Sequence, residues 1–249
     1  MNHSPFYRKQ PKADTAVLLI HGILSTPRHF DFLIPHIPTE YSVYNILLTG
    51  HGGSVADFSK ASMMQWKDQI ASILTELEAQ YDRIFVIGHS LGSLLALHAY
   101  QTHNAISGLI LLNTPLSPKL PLTMMGRSLR FAFGNVHTDD PNDVLCYQDL
   151  GILLEPYLWK YIPWIPNFIS LLRLAHKCRS LTSKLQCPCY VFLGHKDELV
   201  RISSRRWLQN NSNIILEEFE NGTHFGYSPE EQAQIIHTFQ VLTGRMIKC

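Results

Sequence analysis

Residues 83–97 read RIFVIGHSLGSLLAL, and they are the most informative part of the sequence about the fold. An apolar run that is typical of a buried strand passes through GHSLG (88–92) into an apolar sequence with helical character. Glycines two positions before and two after Ser90 allow a sharp turn, which lifts the serine hydroxyl above the end of the strand. The dipole of the following helix favours an anion at its first N–H groups. The stretch therefore predicts a strand, a turn and a helix, with Ser90 as a candidate nucleophile.

Five further apolar runs alternate with helical patterns along the chain. They cover residues 16–20, 41–48, 106–112, 190–193 and 213–219. Several are apolar at consecutive positions, which is typical of parallel strands covered by helices on both faces. The last helix begins with the capping pattern SPEE at 228–231, and PFYR at 5–8 predicts at most a short edge strand. The alternation predicts an α/β fold with a mostly parallel, doubly wound sheet.

One segment, residues 116–180, interrupts this alternation with helical and loop signals only. We expect residues 1–115 and 181–249 to form the core, and 116–180 to form a helical lid inserted after the strand at 106–112. The alternative is that the segment simply adds to the core.

The second half of this segment is rich in large apolar residues and prolines. Its two tryptophans, Trp159 and Trp164, are candidate substrate-binding residues of the lid. Proline disrupts helix interiors, so we expect the prolines of this half to divide it into short helices; they are Pro156, Pro163 and Pro166.

A serine nucleophile needs a general base and an acid that orients the base, and both are expected on the same edge of the sheet as Ser90. Two later strands end in GHKDEL, which contains Asp197, and in NGTHF, which contains His224. The chain order Ser, Asp, His is the one expected after a strand–turn–helix serine motif. We predict Asp197 as the acid and His224 as the base. Glu198 remains an alternative acid because it is adjacent, and His195 is a rival base.

Two backbone N–H groups are candidates for binding the oxyanion that forms when the serine attacks a carbonyl. Leu91 follows the nucleophile at the helix N-terminus, and Ile23 lies after His21-Gly22 at the end of the first parallel strand. Losing one such donor typically costs about 2.7–4 kcal/mol of transition-state stabilisation. We predict that His21, His51 and His89 brace their turns and take no part in the chemistry.

Composition and charge exclude several other classes of protein. The chain has 249 residues, 45% of them apolar, and a formal net charge of +1 from 21 basic and 20 acidic residues. A charge this small argues against a nucleic-acid partner. No apolar run is long enough for a transmembrane segment, and the N-terminus lacks a signal-peptide core, so we expect a cytoplasmic protein with its five cysteines reduced. No motif indicates a metal or any other cofactor, and none indicates an oligomeric state.

The motifs together resemble the α/β-hydrolase fold. Within it they resemble the monoacylglycerol lipase and small carboxylesterase branch, whose members are also described as serine aminopeptidase-like hydrolases. The matching pieces are AVLLIHGILST, LLTGHGGS, VIGHSLGS, LGHKDELV and NGTHFGYSPE. The resemblance implies that Ser90, Asp197 and His224 form a catalytic triad, and that the N–H groups of Ile23 and Leu91 form the oxyanion hole.

The expected function is hydrolysis of a small-molecule carboxylic ester through an acyl-enzyme on Ser90. The apolar lid suggests an acyl chain of medium or greater length. The same triad could instead serve a thioesterase, an aryl (cinnamoyl-type) esterase or an aminopeptidase. A non-catalytic ligand-binding protein on the same fold is the alternative from a different class.

Overall fold

The computed structural model describes residues 3–119 and 122–244, which build a seven-stranded sheet. The strands are β1 (Phe6–Arg8), β2 (Thr15–Ile20), β3 (Ser42–Ile46), β4 (Arg83–His89), β5 (Ile106–Leu112), β6 (Cys189–Gly194) and β7 (Ile214–Phe219). Their order across the sheet is β1-β3-β2-β4-β5-β6-β7. All neighbouring strands are parallel except β1, which pairs antiparallel with β3 as a short edge strand. The predicted α/β class and mostly parallel sheet are confirmed.

Seven α-helices accompany the strands in the described part of the chain. They are α1 (Val55–Ser59), α2 (Met63–Glu78), α3 (Leu91–Ala99), α4 (Leu122–Ala132), α5 (Pro141–Asp149), α6 (Ile165–Leu181) and α7 (Pro229–Leu242). The predicted capping box of α7 is present, because the Ser228 hydroxyl accepts the N–H of Glu231 while the Glu231 carboxylate accepts the N–H of Ser228. The central strands are apolar on both faces because helices cover both sides of the sheet.

Successive residues of β2 show how the two faces are filled. Leu18 and Ile20 point toward α1, α2, α3 and α6, where Trp66 is fully buried. Val17 and Leu19 point to the other face, which is covered by α7 and by residues 27–37. Every residue of β2 is buried, so the strand lies at the centre of the core.

The predicted lid segment contains α4, α5, a 3₁₀ helix at Leu158–Trp164, and α6. The expectation that its prolines divide the second half into short helices is wrong for Pro166. This proline lies in the first turn of the 17-residue helix α6, where the missing N–H is not needed. The later part of α6 packs against α3, and the buried Cys178 thiol contacts the carbonyl oxygen of Leu94. The division into core and lid remains a prediction.

Within the described ranges, no helix combines the length and the apolar character needed to cross a membrane.

Candidate active site

Ser90 lies at the sharp turn between β4 and α3. Its backbone has φ of +52° and ψ of −116°, a strained conformation for a residue with a side chain. The turn depends on its glycines: a Cβ at Gly92 would lie 1.9 Å from the carbonyl oxygen of Ile20, and one at Gly88 would lie 2.5 Å from the backbone of Gly92. The Ser90 N–H donates to the carbonyl oxygen of Leu112 at 2.9 Å. The chain is thereby fixed so that the serine side chain points away from the sheet.

The structure brings Ser90, His224 and Asp197 together. The Ser90 Oγ lies 3.1 Å from Nε2 of His224, and Nδ1 of His224 lies 2.8 Å from Oδ2 of Asp197. The other oxygen of Asp197 accepts the N–H groups of Leu199 and Val200, each at 2.7 Å. Asp197 is therefore oriented by the backbone of its own loop, so that Nδ1–H of His224 can donate to it. Nε2 is then free to accept the serine proton.

The His224 imidazole is buried, and this alone would lower its pKa. The charge and the hydrogen bond of Asp197 act in the opposite direction, with further help from Glu198 and Asp149. The net result is a pKa raised above the ordinary value for histidine. The site thus stabilises the imidazolium that a general base forms when it takes a proton.

Asn113 connects the two loops that carry Asp197 and His224, a role that the sequence did not suggest. Its side-chain N–H donates to the carbonyl oxygen of Thr223 at 2.9 Å, and its Oδ1 accepts the N–H of Gly194 at 3.1 Å. Asn113 itself has φ of +48°, which asparagine tolerates better than most residues. The end of β5 therefore positions the loops after β6 and β7.

Glu198, the alternative acid, does not contact the imidazole ring of His224. Its carboxylate instead accepts the backbone N–H of His224 at 3.0 Å and pairs with Arg127 of α4 at 3.0 Å. His195, the rival base, lies beside Glu218 at 2.9 Å. The geometry thus favours Asp197 over Glu198 as the residue that orients the imidazole.

The N–H groups of Ile23 and Leu91 donate to no protein acceptor in the described parts of the chain. Leu91 is the first residue of α3, and Ile23 lines the cavity beside His224. The next residue, Leu24, has φ of +60° and donates its N–H to Nε2 of His51 at 3.1 Å. His51 thus braces the loop that carries Ile23, one of the two predicted oxyanion residues.

Three buried histidines brace the turns around the site, as predicted. His21 accepts the N–H of Leu48 at its Nε2, and His89 donates from its Nε2 to the carbonyl oxygen of His224. Burial lowers the pKa of His21 to about 4, and it lowers the pKa values of His51 and His89 well below the ordinary value. These rings are therefore neutral at pH 7 and act as hydrogen-bonding struts.

Because these histidines are buried and neutral, we expect the free energy of unfolding to fall in acid. Between pH 6.5 and about 4 the unfolded chain binds protons at these positions and the folded chain does not, so the free energy of unfolding falls as the pH falls. For His21, a pKa change from 6.5 to about 4 corresponds to roughly 3 kcal/mol. His224 offsets part of this loss, since a raised pKa stabilises the fold when the ring is protonated.

Urea unfolding at pH 7.5, 6.5, 5.5 and 4.5 measures this effect. We expect His21→Gln to lose less stability between pH 6.5 and 4.5 than the wild type, since one buried titrating group is gone. His36 is exposed, so His36→Gln should follow the wild type. Parallel curves for His21→Gln and the wild type would contradict the prediction.

A cavity of about 490 Å³ extends from His224 and Ile23 into the predicted lid. Large apolar side chains form most of its wall, among them Leu129, Phe131, Leu154, Tyr161, Trp164 and Phe168. The sequence identified only Trp164 of these, since helical faces in a proline-rich segment are hard to assign. The prediction of Trp159 as a substrate-binding residue needs correction, because its side chain does not line the cavity. Trp159 is 65% exposed and lies on the outer side of the 3₁₀ helix against Tyr157.

One part of the cavity wall is polar. Asp149 at the end of α5 is buried, and its Oδ1 accepts from Nδ1–H of His29 at 3.2 Å. The His29 ring stacks on His89 with centroids 3.7 Å apart. Among the described residues, Oδ2 of Asp149 and Nε2 of His29 have no hydrogen-bond partner. Asp149 lines the cavity, whereas His29 lies behind it and is not part of the wall.

The described residues contain no group of three or more His, Cys, Asp or Glu side chains that could hold a metal ion. Cys146, Cys178, Cys187 and Cys189 are free thiols.

The sequence and the fold are similar to those of known hydrolases. A model of the alpha/beta hydrolase family matches residues 17–236. A thermostable monoacylglycerol lipase of Bacillus sp. (strain H-257) is 24% identical over 199 residues, which is 79% of this chain and 75% of that protein. The structure of a metagenome-derived lipolytic enzyme matches with a TM-score of 0.74 and 20% identity, over 97% of this chain and 98% of that chain. A monoacylglycerol lipase of Paleococcus ferrophilus matches with a TM-score of 0.69 and 17% identity, over 99% of this chain and 100% of that chain. The resemblance in fold that the motifs indicated is confirmed.

Proposed function

The chain belongs to the alpha/beta hydrolase family, and we propose that it is a serine hydrolase that cleaves carboxylic esters of apolar acyl chains. One observation carries the proposal. The hydrogen-bonded series Ser90–His224–Asp197 lies beside an apolar cavity of about 490 Å³. These contacts support Ser90 as the nucleophile, His224 as the base and Asp197 as the orienting acid, and the cavity has room for a hydrocarbon chain.

In the proposed reaction, Ser90 Oγ attacks the ester carbonyl carbon while its proton passes to Nε2 of His224. The N–H groups of Ile23 and Leu91 bind the oxyanion, and Asp197 stabilises the imidazolium. The C–O bond to the alcohol then breaks, and Nε2–H gives its proton to the leaving oxygen. Water repeats the sequence on the acyl-enzyme and releases the acid, which restores the serine hydroxyl.

The polar part of the cavity wall supports an alcohol that carries its own hydroxyl groups. Asp149 lines the cavity, and its Oδ2 has no donor among the described residues. A free hydroxyl of a glycerol ester could donate to this carboxylate, whereas a simple alkyl ester has no donor to offer. This observation favours a monoacylglycerol over a methyl or ethyl ester of the same acid.

Asp149 also favours a second candidate, an aminopeptidase. A buried carboxylate oxygen without a partner could accept from the ammonium group of a peptide N-terminus. The rest of the cavity wall is mostly apolar and less suited to a peptide, because each buried peptide group needs hydrogen-bond partners. The ester is therefore the first candidate.

The test is kcat/KM across 4-nitrophenyl esters from acetate to palmitate, followed by 1-monoacylglycerols and methyl esters of the preferred acid. Ser90→Ala serves as the blank. We expect a maximum at medium or long chains and a preference for the glycerol ester. An aminoacyl 4-nitroanilide tests the second candidate. Uniformly feeble ester hydrolysis by an enzyme whose Ser90 still reacts with a fluorophosphonate would count against the proposed substrate class.

The cavity predicts that chain-length preference can be changed at Leu154. A tryptophan there would occupy room that the acyl chain needs. If it excludes two methylenes at about 0.8 kcal/mol each, kcat/KM for long-chain esters falls roughly tenfold while short-chain esters are little affected. The neighbouring Leu153 is exposed and does not line the cavity, so Leu153→Trp is the matched control. Equal chain-length profiles for the two variants would show that the acyl chain lies elsewhere.

A further inference from the structure

The carboxylate of Glu198 joins two parts of the molecule that are distant in sequence. Its Oε2 accepts the backbone N–H of His224 at 3.0 Å, and its Oε1 accepts from Nη1 of Arg127 at 3.0 Å. The side chains of Arg127 and Glu198 are only 19% and 18% exposed, so solvent and salt screen this ion pair less than a surface pair. Both contacts are charge-assisted hydrogen bonds, which are roughly twice as strong as neutral ones.

The connection continues into the predicted lid. Nε of Arg127 binds Oδ1 of Asp143 at 2.9 Å, and Asp143 is fully buried in α5. Asp143 also binds Arg130 at 2.8 Å, but Arg130 does not contact Glu198. The series Asp143–Arg127–Glu198 thus links α5 and α4 to the backbone of the residue that carries the proposed general base.

The backbone of His224 is held from both sides. Glu198 accepts its N–H, and Nε2 of His89 donates to its carbonyl oxygen at 2.9 Å. Without Glu198, the backbone N–H of His224 has no fixed acceptor. Asp197 then still holds the imidazole ring, but it does not hold the backbone. A misplacement of about 1 Å at a reacting group can lower a rate by about 10²-fold. The position of Nε2 relative to Ser90 therefore depends on more than the contact with Asp197.

We propose that Glu198 is a positioning residue for His224, and that its ion pair with Arg127 makes the placement of the base depend on the docked position of α4. The inference rests on the proposed function, because it takes His224 as the general base. With α4 docked, the positive charge of Arg127 compensates the negative charge of Glu198 and fixes the position of its carboxylate. With α4 displaced, its carboxylate has lost its counter-charge and turns to water, and the N–H of His224 has lost a fixed acceptor.

The first test is a double-mutant cycle of Glu198→Gln and Arg127→Met, with Arg130→Met as the matched control. Glu198→Gln is expected to lower kcat about tenfold, which corresponds to about 1.4 kcal/mol, with little change in KM. Arg127→Met should give a similar but smaller loss, and the double variant should be no slower than Glu198→Gln. Arg130→Met should stay within about twofold of the wild type, since Arg130 contacts Asp143 and the Phe131 ring but not Glu198. Melting temperatures show whether the two arginine variants are equally folded.

The second test does not require turnover. In a Ser90→Ala background, NMR of the His224 ring gives its pKa. The charged and titratable groups near the ring are Asp197, whose carboxylate binds Nδ1, His89, whose ring packs against it, and Glu198 and Asp149, whose charges act on it through space. Glu198→Gln and Arg127→Met should both shift the His224 titration, whereas Arg130→Met should not.

The two tests separate this inference from the proposed function. Equal losses from Arg127→Met and Arg130→Met, additive effects in the double variant, or an unchanged His224 titration in Glu198→Gln would overturn the positioning role. Absence of ester hydrolysis in the wild type, with the NMR shifts present, would count against the proposed substrate and leave the positioning role standing.

Discussion

Ser90→Ala is expected to lower kcat about 10⁶-fold while KM for the same ester changes little. The Ser90 Oγ is the atom placed 3.1 Å from Nε2 of His224, and removing it leaves water without a covalent route through the acyl-enzyme. Alanine keeps the Cβ and the backbone of the turn, so the strained conformation at φ of +52° and the packing of Gly92 under it are unchanged. The variant should therefore fold and bind ester as the wild type does.

Ser93→Ala is the matched control for this variant. Ser93 is also a buried serine of the same turn, but its hydroxyl donates to the carbonyl oxygens of Gly88 and Leu112 and does not contact His224. Its loss should change stability more than kcat. Steady-state kinetics and fluorophosphonate labelling of the three proteins make the comparison. Residual activity in Ser90→Ala within about 10²-fold of the wild type would mean that another group is the nucleophile.

Local sequence was sufficient to predict the parts of the site that depend on strand ends. The stretch at 88–92 places a residue at a turn whatever the rest of the chain does, because the glycines and the flanking strand and helix determine that turn. Asp197 and His224 follow from the same rule, since carboxyl ends of neighbouring parallel strands meet at one edge of the sheet. The sequence thus predicted that Asp197 and His224 lie close together, but it could not predict the 2.8 Å distance between them.

The sequence did not reveal contacts between segments with no shared periodicity. Arg127 and Glu198 are 71 positions apart, and Arg127 belongs to no motif, so only the fold shows that they pair. Trp159 and Trp164 lie in similar apolar sequence, so the sequence does not distinguish them. Trp159 faces solvent and Trp164 faces the cavity, because the 3₁₀ helix sets the direction of each side chain. Pro166 illustrates a third difficulty, since proline breaks a helix in its interior and starts one in its first turn.

Asp197→Asn is expected to lower kcat about 10⁴-fold, and the contacts of Asp197 explain why. Its Oδ1 accepts two backbone N–H groups, from Leu199 and Val200, each at 2.7 Å. An asparagine must keep its carbonyl oxygen there, because an amide N–H₂ facing two N–H donors would be strongly unfavourable. The N–H₂ group is therefore directed at Nδ1 of His224, which then must accept. The imidazole is held with its proton on Nε2, where it cannot take the proton of Ser90.

The comparison with Glu198→Gln decides which carboxylate orients the base. Glu198 touches only the backbone N–H of His224, so its neutral variant can shift the ring but cannot reverse its tautomer. We therefore expect a loss about 10³-fold smaller than that of Asp197→Asn, measured as kcat at a pH well above the His224 pKa. A silent Asp197→Asn beside a severely impaired Glu198→Gln would reassign the acid to Glu198. Near-equal losses would mean that the imidazole is positioned through its backbone as much as through its ring, and that the tautomer argument is wrong.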